Sequence, residues 1–282
     1  MNIKPDCLVC LYNQALKTTK LLGLDDKKSA KILFEVAKIL PNYSLSNTAP
    51  QIAKESYGVI AKFTNKDPLK KVKKQSIKEA KKFKPFLYQK IKNSDDKLLT
   101  ALKIAVAGNV IDFGSKAQIK LDEILEKIFD TNFKIDNYSQ LQNRLKKAKK
   151  VVILGDNSGE NIFDVILADV LKSLYDIELF YFVRGKPIIN DVTLKEAKKS
   201  DMSKFAKIID SGVPTAGYDL KFATKKSKKI FKSADVVISK GMGNFESLYQ
   251  ITKREVFYLF VVKCNVIADA VKCDVGDLVL KV

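Results

Sequence analysis

The sequence predicts an α/β protein: a helical N-terminal domain, residues 1–135, followed by a three-layer α/β/α domain, residues 136–282, built on a mostly parallel sheet. Three observations carry this expectation. Before residue 136 the apolar residues recur at helical spacing, and glycines and strand-like runs are scarce. After it, short continuous apolar runs alternate with amphipathic helical stretches, the pattern of a parallel sheet covered on both faces. Four of those runs end in loops rich in Gly, Asp, Asn and Lys. Open α/β sheets bind their ligands beyond the carboxyl ends of their strands.

Taken in order, Cys7, Cys10, Leu11, Gln14, Ala15, Thr18 and Leu22 follow an i, i+3, i+4 rhythm and predict a first helix. Ala30, Leu33, Phe34, Ala37, Ile39 and Leu40 predict a second, stopped by Pro41, and residues 52–63 a third. Pro68 suits the first turn of a fourth, with Leu69, Val72, Ile77, Ala80 and Phe83 as its buried positions. Residues 98–111 and 121–129 complete the helical region. The 13 Lys against four acids in residues 62–97 read as a solvated helix face.

From residue 136 a short helix, 138–148, leads into strands at 151–154, 177–183, 207–209, 236–238, 256–262 and 277–280. Helices are expected between most of them, at 161–173, 193–200, 220–231 and 245–252.

Composition narrows the chemistry. The 282 residues contain no His, so a Ser-His-Asp triad, a Cys-His nucleophile, His-bound zinc and an imidazole base are all excluded. The formal charge of +19 comes almost entirely from Lys; the arginines are Arg144, Arg184 and Arg254. Residues 1–135 carry 26 basic and 14 acidic side chains, and the remainder 25 and 18, so the charge forms no tail. Nucleic-acid readers lean on Arg for bidentate contacts, so the excess reads as compositional bias and a nucleic-acid partner is not expected. No apolar run approaches the length of a membrane span, no signal peptide is visible, and four cysteines make no disulfide framework. A soluble cytoplasmic protein is expected.

The chemistry gathers at the strand ends. Gly155-Asp156-Asn157-Ser158-Gly159-Glu160 follows the first strand, Arg184-Gly185-Lys186-Pro187 with Asn190 and Asp191 the second, Lys240-Gly241-Met242-Gly243-Asn244-Phe245-Glu246 the fourth, and Lys263-Cys264-Asn265 the fifth. Asp156, Asn157 and Asp191 offer hard oxygen donors, which without imidazole or clustered thiolate favour magnesium or manganese over zinc. The glycines let backbone amides approach a phosphate, and helices starting nearby would point their positive ends at it. Lys240 and Lys263 suit phosphate oxygens, and Arg184 supplies fork geometry in a lysine-dominated chain. Each piece also has a plain structural reading: Asp156-Asn157 and Asn190-Asp191 as helix caps, residues 241–244 as a turn, Lys263 as a surface lysine. No dinucleotide or Walker-type fingerprint is present.

In order along the chain, several segments resemble those of the metal-dependent damage-control phosphatase family, in its stand-alone prokaryotic branch. They are Asp6-Cys-Leu-Val-Cys-Leu11 with Gln14; Ala107-Gly-Asn-Val-Ile-Asp-Phe-Gly114; Gly155 to Glu160 with Asp164; Arg184 to Asp191; Lys240 to Glu246; and Lys263-Cys264 with Gly276-Asp277. The resemblance implies a site in the cleft between the helical and α/β domains. It implies a divalent metal (manganese, magnesium, cobalt or nickel) on Asp156, Asn157 and Asp191, with Asp156 and Asp191 catalytic. Glu160, Arg184, Asn190, Lys240, Asn244, Glu246 and Lys263 would bind substrate and phosphate. Asn109 and Asp112 would be the helical domain's contribution.

The expected activity is metal-dependent hydrolysis of a small phosphomonoester such as a sugar phosphate or a damaged phosphometabolite, with water favoured over an aspartate nucleophile. The alternative is a nucleotide-dependent, methyltransferase-like transferase on the same scaffold; a nucleic-acid binder is the third reading. Cys7 and Cys10 are expected as buried reduced thiols on a helix face, with a disulfide or redox role, or a structural zinc shared with Cys264 and Cys273, as the alternatives.

Overall fold

The computed structural model describes residues 1–110 and 121–282. Three helices open the chain: α1 (Pro5–Leu21), α2 (Asp26–Ile39) and α3 (Ala49–Phe63). They pack on one another around small apolar clusters, Ile3, Cys7, Leu11, Ile52 and Ala53 in one and Ala15, Ile32, Val36 and Ile60 in another. Cys7, Leu11 and Ala15 are buried at successive i, i+4 positions, as the sequence spacing predicts. The Asp25 carboxylate caps α2 by accepting from Lys28 N–H at 2.7 Å.

Helices α4 (Lys70–Lys82), α5 (Lys84–Lys92), α6 (Lys97–Val110) and α7 (Leu121–Asp130) follow. The break between α4 and α5, which the spacing of apolar residues does not reveal, falls just before Pro85; proline suits a helix's first turn and cannot continue an earlier helix without breaking its hydrogen bonds. Apolar residues of α6 are buried on every side, from Leu98 to Ala107, which marks an interior helix. It lies along α9 (Glu160–Leu174), after the short α8 (Tyr138–Lys147).

Among the described residues seven strands form one sheet: β1 (Ile135–Asp136), β2 (Lys150–Leu154), β3 (Glu178–Val183), β4 (Lys207–Asp210), β5 (Val236–Lys240), β6 (Phe257–Val261) and β7 (Leu278–Lys281). Their order is β1-β7-β6-β5-β2-β3-β4, and every pairing is parallel except β6 with β7. The six predicted strands are β2 to β7; β1 has only two residues, too short to leave a pattern. The remaining helices are α10 (Leu194–Ala197), α11 (Lys225–Ser233), α12 (Gly241–Leu248) and α13 (Asn265–Val271). All four differ from expectation. Helix α10 is a single turn, followed by a separate 3-10 turn at Asp201–Lys204. Thr224 caps α11, so residues 220–224 stay outside it. Helix α12 starts at once where β5 ends, and α13 occupies a stretch read as loop.

Alternate residues of each strand enter opposite cores, the signature of a sheet buried on both faces. Val151, Ile153, Val236, Ile238, Phe257 and Leu259 join the core beneath α6 and α9. Val152, Leu154, Val237, Tyr258 and Phe260 join the core beneath α11, α12 and α13. The first core also holds Ile77, Leu87 and Ala101 to Ala107, so it runs across residue 135. The chain order turns outward in both directions from the β2–β5 pair, and the crevice between their carboxyl ends is where such sheets take ligands. Among the described residues no helix is long and apolar enough to cross a membrane.

Candidate active site

Two loops are sewn together beyond β2 and β3. Val192 N–H donates to the Asp156 carbonyl at 2.8 Å, Ser158 N–H to the Asn190 carbonyl at 2.8 Å, and Asn157 and Asp191 form an isolated antiparallel bridge. These bonds bring Asp156, Asn157 and Asp191 to one place. None of the three caps a helix: the cap of α9 is Gly159 and that of α10 is Thr193. The capping explanation of both Asp-Asn pairs is therefore removed.

Arg184 lies beneath the two aspartates, 2% exposed. Its Nε donates to Asp191 Oδ2 at 2.6 Å, and its Nη2 stands 3.5 Å from Asp156 Oδ1 without a hydrogen-bond partner. From the end of α6, Asn109 Nδ2 donates to Asp156 Oδ2 at 2.9 Å and to Glu160 Oε2 at 3.0 Å. Asn157 Nδ2 reaches the same Asp156 oxygen at 3.0 Å. Two glycines make room. Gly241 has φ +75°, and a Cβ there would stand 1.9 Å from Asp156 Oδ2. A Cβ on Gly108 would press Glu160 at 3.0 to 3.1 Å, so α6 meets α9 at van der Waals distance only because glycine is there.

A cavity of about 830 Å³ opens over this cluster. Its walls come from both halves of the chain: α1, α3, α4 and α6 on one side, the strand-end loops on the other. Among the described residues the charged ones lining it are Asp6, Asp156, Asp191, Glu246 and Lys263, four acids to one base in a chain of formal charge +19. Burial, with Glu160 and Asp191 nearby, holds the Asp156 carboxyl well above its usual range, against the pull of Arg184 and Lys263. Burial likewise pushes Asp191 up to about 6, opposed chiefly by Arg184, and Glu246 up to about 7, opposed by the amino terminus.

Asn109, Asp156, Asn157, Asn190, Asp191, Glu246 and Lys263 all line this cavity. Lys263 Nζ donates to the Asn109 carbonyl at 2.7 Å, its one hydrogen bond among the described residues. Asp112 lies outside the described residues. Four residues expected to meet substrate stand behind the wall instead. Lys240 is fully buried, and its Nζ donates to Glu160 Oε1 (2.5 Å), Asp164 Oδ1 (2.6 Å) and the Ala105 carbonyl (2.8 Å), using all three protons. Burial alone would lower the Lys240 pKa, but Asp164 and Glu160 outweigh it and the ammonium is held charged. Glu160 is its partner. Asn244 accepts from Tyr218 N–H and donates to the Gly155 and Lys240 carbonyls, pinning the two strand ends. Arg184 contacts the aspartates rather than the cavity.

Sequence reasoning gave no role to Asp164, whose carboxylate takes Lys240 and the Tyr181 hydroxyl (2.8 Å). The signal was its place one helical turn after Glu160 on α9. All four cysteines are free thiols; Cys7 is buried, but Cys10 is exposed, contrary to expectation, and it lines the cavity mouth with Cys7 and Cys264. The Cys7 thiol is one turn nearer the α1 start and faces the small core there, whereas Cys10 falls on the helix's outer side.

Residues 3–279 match the damage-control phosphatase ARMT1-like domain. The chain is 32% identical to a damage-control phosphatase of Pyrococcus horikoshii over 282 residues, 99% of this chain and 97% of that one. It is 28% identical to a damage-control phosphatase of Archaeoglobus fulgidus over 292 residues, covering 100% and 99%. A crystal structure of a DUF89 family protein from Pyrococcus horikoshii superposes with a TM-score of 0.89 at 30% identity, covering 99% of this chain and 98% of that one.

Proposed function

The chain belongs to the damage-control phosphatase ARMT1-like family, and on that premise we propose that it hydrolyses small phosphomonoesters in this cavity with a divalent metal on Asp156, Asn157 and Asp191. The observation that carries the reading is the acidic cluster itself. Two buried carboxylates share one guanidinium that hydrogen-bonds only one of them, and burial raises both their pKa values. Buried charge left this poorly matched calls for a counter-ion. The donor set of two carboxylates and one amide, all oxygen, fits magnesium or manganese better than zinc; cobalt and nickel are added by the family resemblance alone. The Asn109 Oδ1 atom, buried without a partner, adds an unused acceptor at the same place. Among the described residues no three His, Cys, Asp or Glu side chains form a metal-holding group, so the amide of Asn157 is essential to the assignment.

A divalent cation held there would supply Lewis-acid polarisation of a phosphoryl oxygen. The chain's own residues do the rest. Lys263, at the cavity wall, would offset charge on the phosphoryl oxygens as it develops. Asn109 and Arg184 hold the aspartates in one orientation, so little reorganisation is needed when substrate arrives. With Asp156 and Asp191 assigned to the metal, water is the nucleophile this reading favours; it attacks phosphorus, and the products are the alcohol and inorganic phosphate. The walls from α1, α3 and α4 would read the alcohol part, a small sugar or other metabolite.

The test is release of inorganic phosphate from a panel of sugar, nucleotide and cofactor phosphates with each of the four metals and with chelator. Metal-dependent release from small phosphomonoesters is expected. Release undiminished by chelation would remove the metal from the reading, and no release from any of them would remove the reading.

A further inference from the structure

Ile189 has a backbone φ of +43°, a region that a β-branched side chain rarely occupies. It sits in a tight turn closed by Asp191 N–H donating to the Ile188 carbonyl at 3.0 Å. Turns with positive φ at this position favour Gly, Asn or Asp, so nothing local prefers isoleucine here. The turn is the one that delivers Asn190 and Asp191 to the cavity.

Backbone bonds tie Asn190 and Val192 to the loop after β2, and on Ile189 itself a side-chain hydrogen bond is in place. Tyr57 of α3, 5% exposed, donates its hydroxyl to the Ile189 carbonyl at 3.3 Å and accepts Leu69 N–H, just before α4, at 3.4 Å. Its ring packs with Leu69 and Ile188, which is 1% exposed. One side chain of the helical half therefore fixes both the carbonyl and the flank of the strained residue. We propose that Tyr57 is a positioning residue for the metal-binding loop: its hydroxyl holds Ile189 in the left-handed region so that Asp191, two residues on, meets Asp156 and Asn157. This rests on the metal assignment proposed above. Without the hydroxyl, Ile189 relaxes toward negative φ, the following peptide turns, and Asp191 leaves the donor set.

The experiment measures Mn²⁺ affinity by calorimetry, with phosphate release alongside. Tyr57→Phe keeps the ring and deletes the latch; Mn²⁺ binding is expected to weaken about tenfold, as for other outer partners of metal ligands. Adding Ile189→Gly is expected to restore affinity to within about threefold, because glycine adopts φ +43° without help. A general packing role for Tyr57 would not be repaired by a change at residue 189. Unaltered affinity in Tyr57→Phe, or no recovery in the double variant, overturns the proposal. If Tyr57→Phe alone fails to fold, the double variant is compared with Ile189→Gly: equal affinity supports the latch, and a double variant that is weaker or unfolded overturns it. Asp191→Ala, measured beside them, separates the two readings. Parental Mn²⁺ affinity there sinks the metal assignment, whereas loss there without loss in Tyr57→Phe sinks only the latch.

Discussion

Two buried carboxylate clusters lie back to back at the ends of β2 and β5, and they are balanced differently. Behind the wall, Glu160 and Asp164 face the Lys240 ammonium at 2.5 and 2.6 Å, and Tyr181 adds a hydrogen bond to Asp164. At the cavity, Asp156 and Asp191 share Arg184, which hydrogen-bonds Asp191 and stands 3.5 Å from Asp156. Each sets two carboxylates against one cation, but the coordination differs. A cation with every proton engaged belongs to the fold; carboxylates left with open acceptor capacity beside a cavity are the ones available to a ligand.

The strongest way to break this comparison is to empty the compensated cluster. Lys240→Met leaves two buried carboxylates without their cation and is expected to destabilise the protein by about 3–5 kcal/mol in chemical denaturation. A loss under 1 kcal/mol would mean that the cluster is not structural. Next come Asp156→Ala and Asp191→Ala, each expected to keep the fold while lowering metal-dependent phosphate release at least about a hundredfold, some 2.7 kcal/mol in the barrier. Full activity in either folded variant sinks the site assignment. Gly241→Ala tests how the two clusters meet. Its methyl must displace Asp156 and occupy φ +75°, so a stability loss of about 1–3 kcal/mol is expected together with weakened Mn²⁺ binding. Unchanged binding would show that Asp156 does not need its present place.

The smallest effect is a pH dependence of metal-free protein. Asp191 rises to about 6 when folded, against about 4 unfolded. Between those values the folded state binds more protons than the unfolded state, so stability falls as pH rises through the window. Asp164, also raised to about 6, acts in the same direction. Exposed Asp201, lowered to about 2 by Lys84 and Lys204, acts oppositely, but below about pH 4. Denaturation of chelated protein at stepped pH is expected to show stability falling between about pH 4 and 6, with Mn²⁺ abolishing part of the loss. A profile rising through that window would show that the cavity carboxylates are not under-compensated.

Much of the fold was legible because its signals are local. The apolar runs of β2 to β7 are short and dense, and their alternation into two cores is built into the period of a strand. Asp156, Asn157, Asn190, Asp191 and Lys263 could be singled out because they follow those runs among glycines. What escaped was either too short or without local cause. Two-residue β1 has no pattern to read, α13 carries its apolar face in seven residues, and Ile189 occupies a turn that its own chemistry disfavours.

The sequence by itself determined the layered architecture, the strand-end loops and the kinds of donor those loops carry, because side-chain period and turn chemistry act over a few residues. Only the tertiary structure decided which charges face the cavity. Lys240 ends β5 and Lys263 lies just beyond β6, yet one is consumed by α9 and the carbonyl of Ala105, and the other reaches the cavity past Asn109. That outcome depends on α6 lying against α9 at Gly108 and on the loops of β2 and β3 being joined, contacts between segments far apart in the chain. A charge's role is set by what is within a few ångströms of it, and for these residues those neighbours come from distant positions in the sequence.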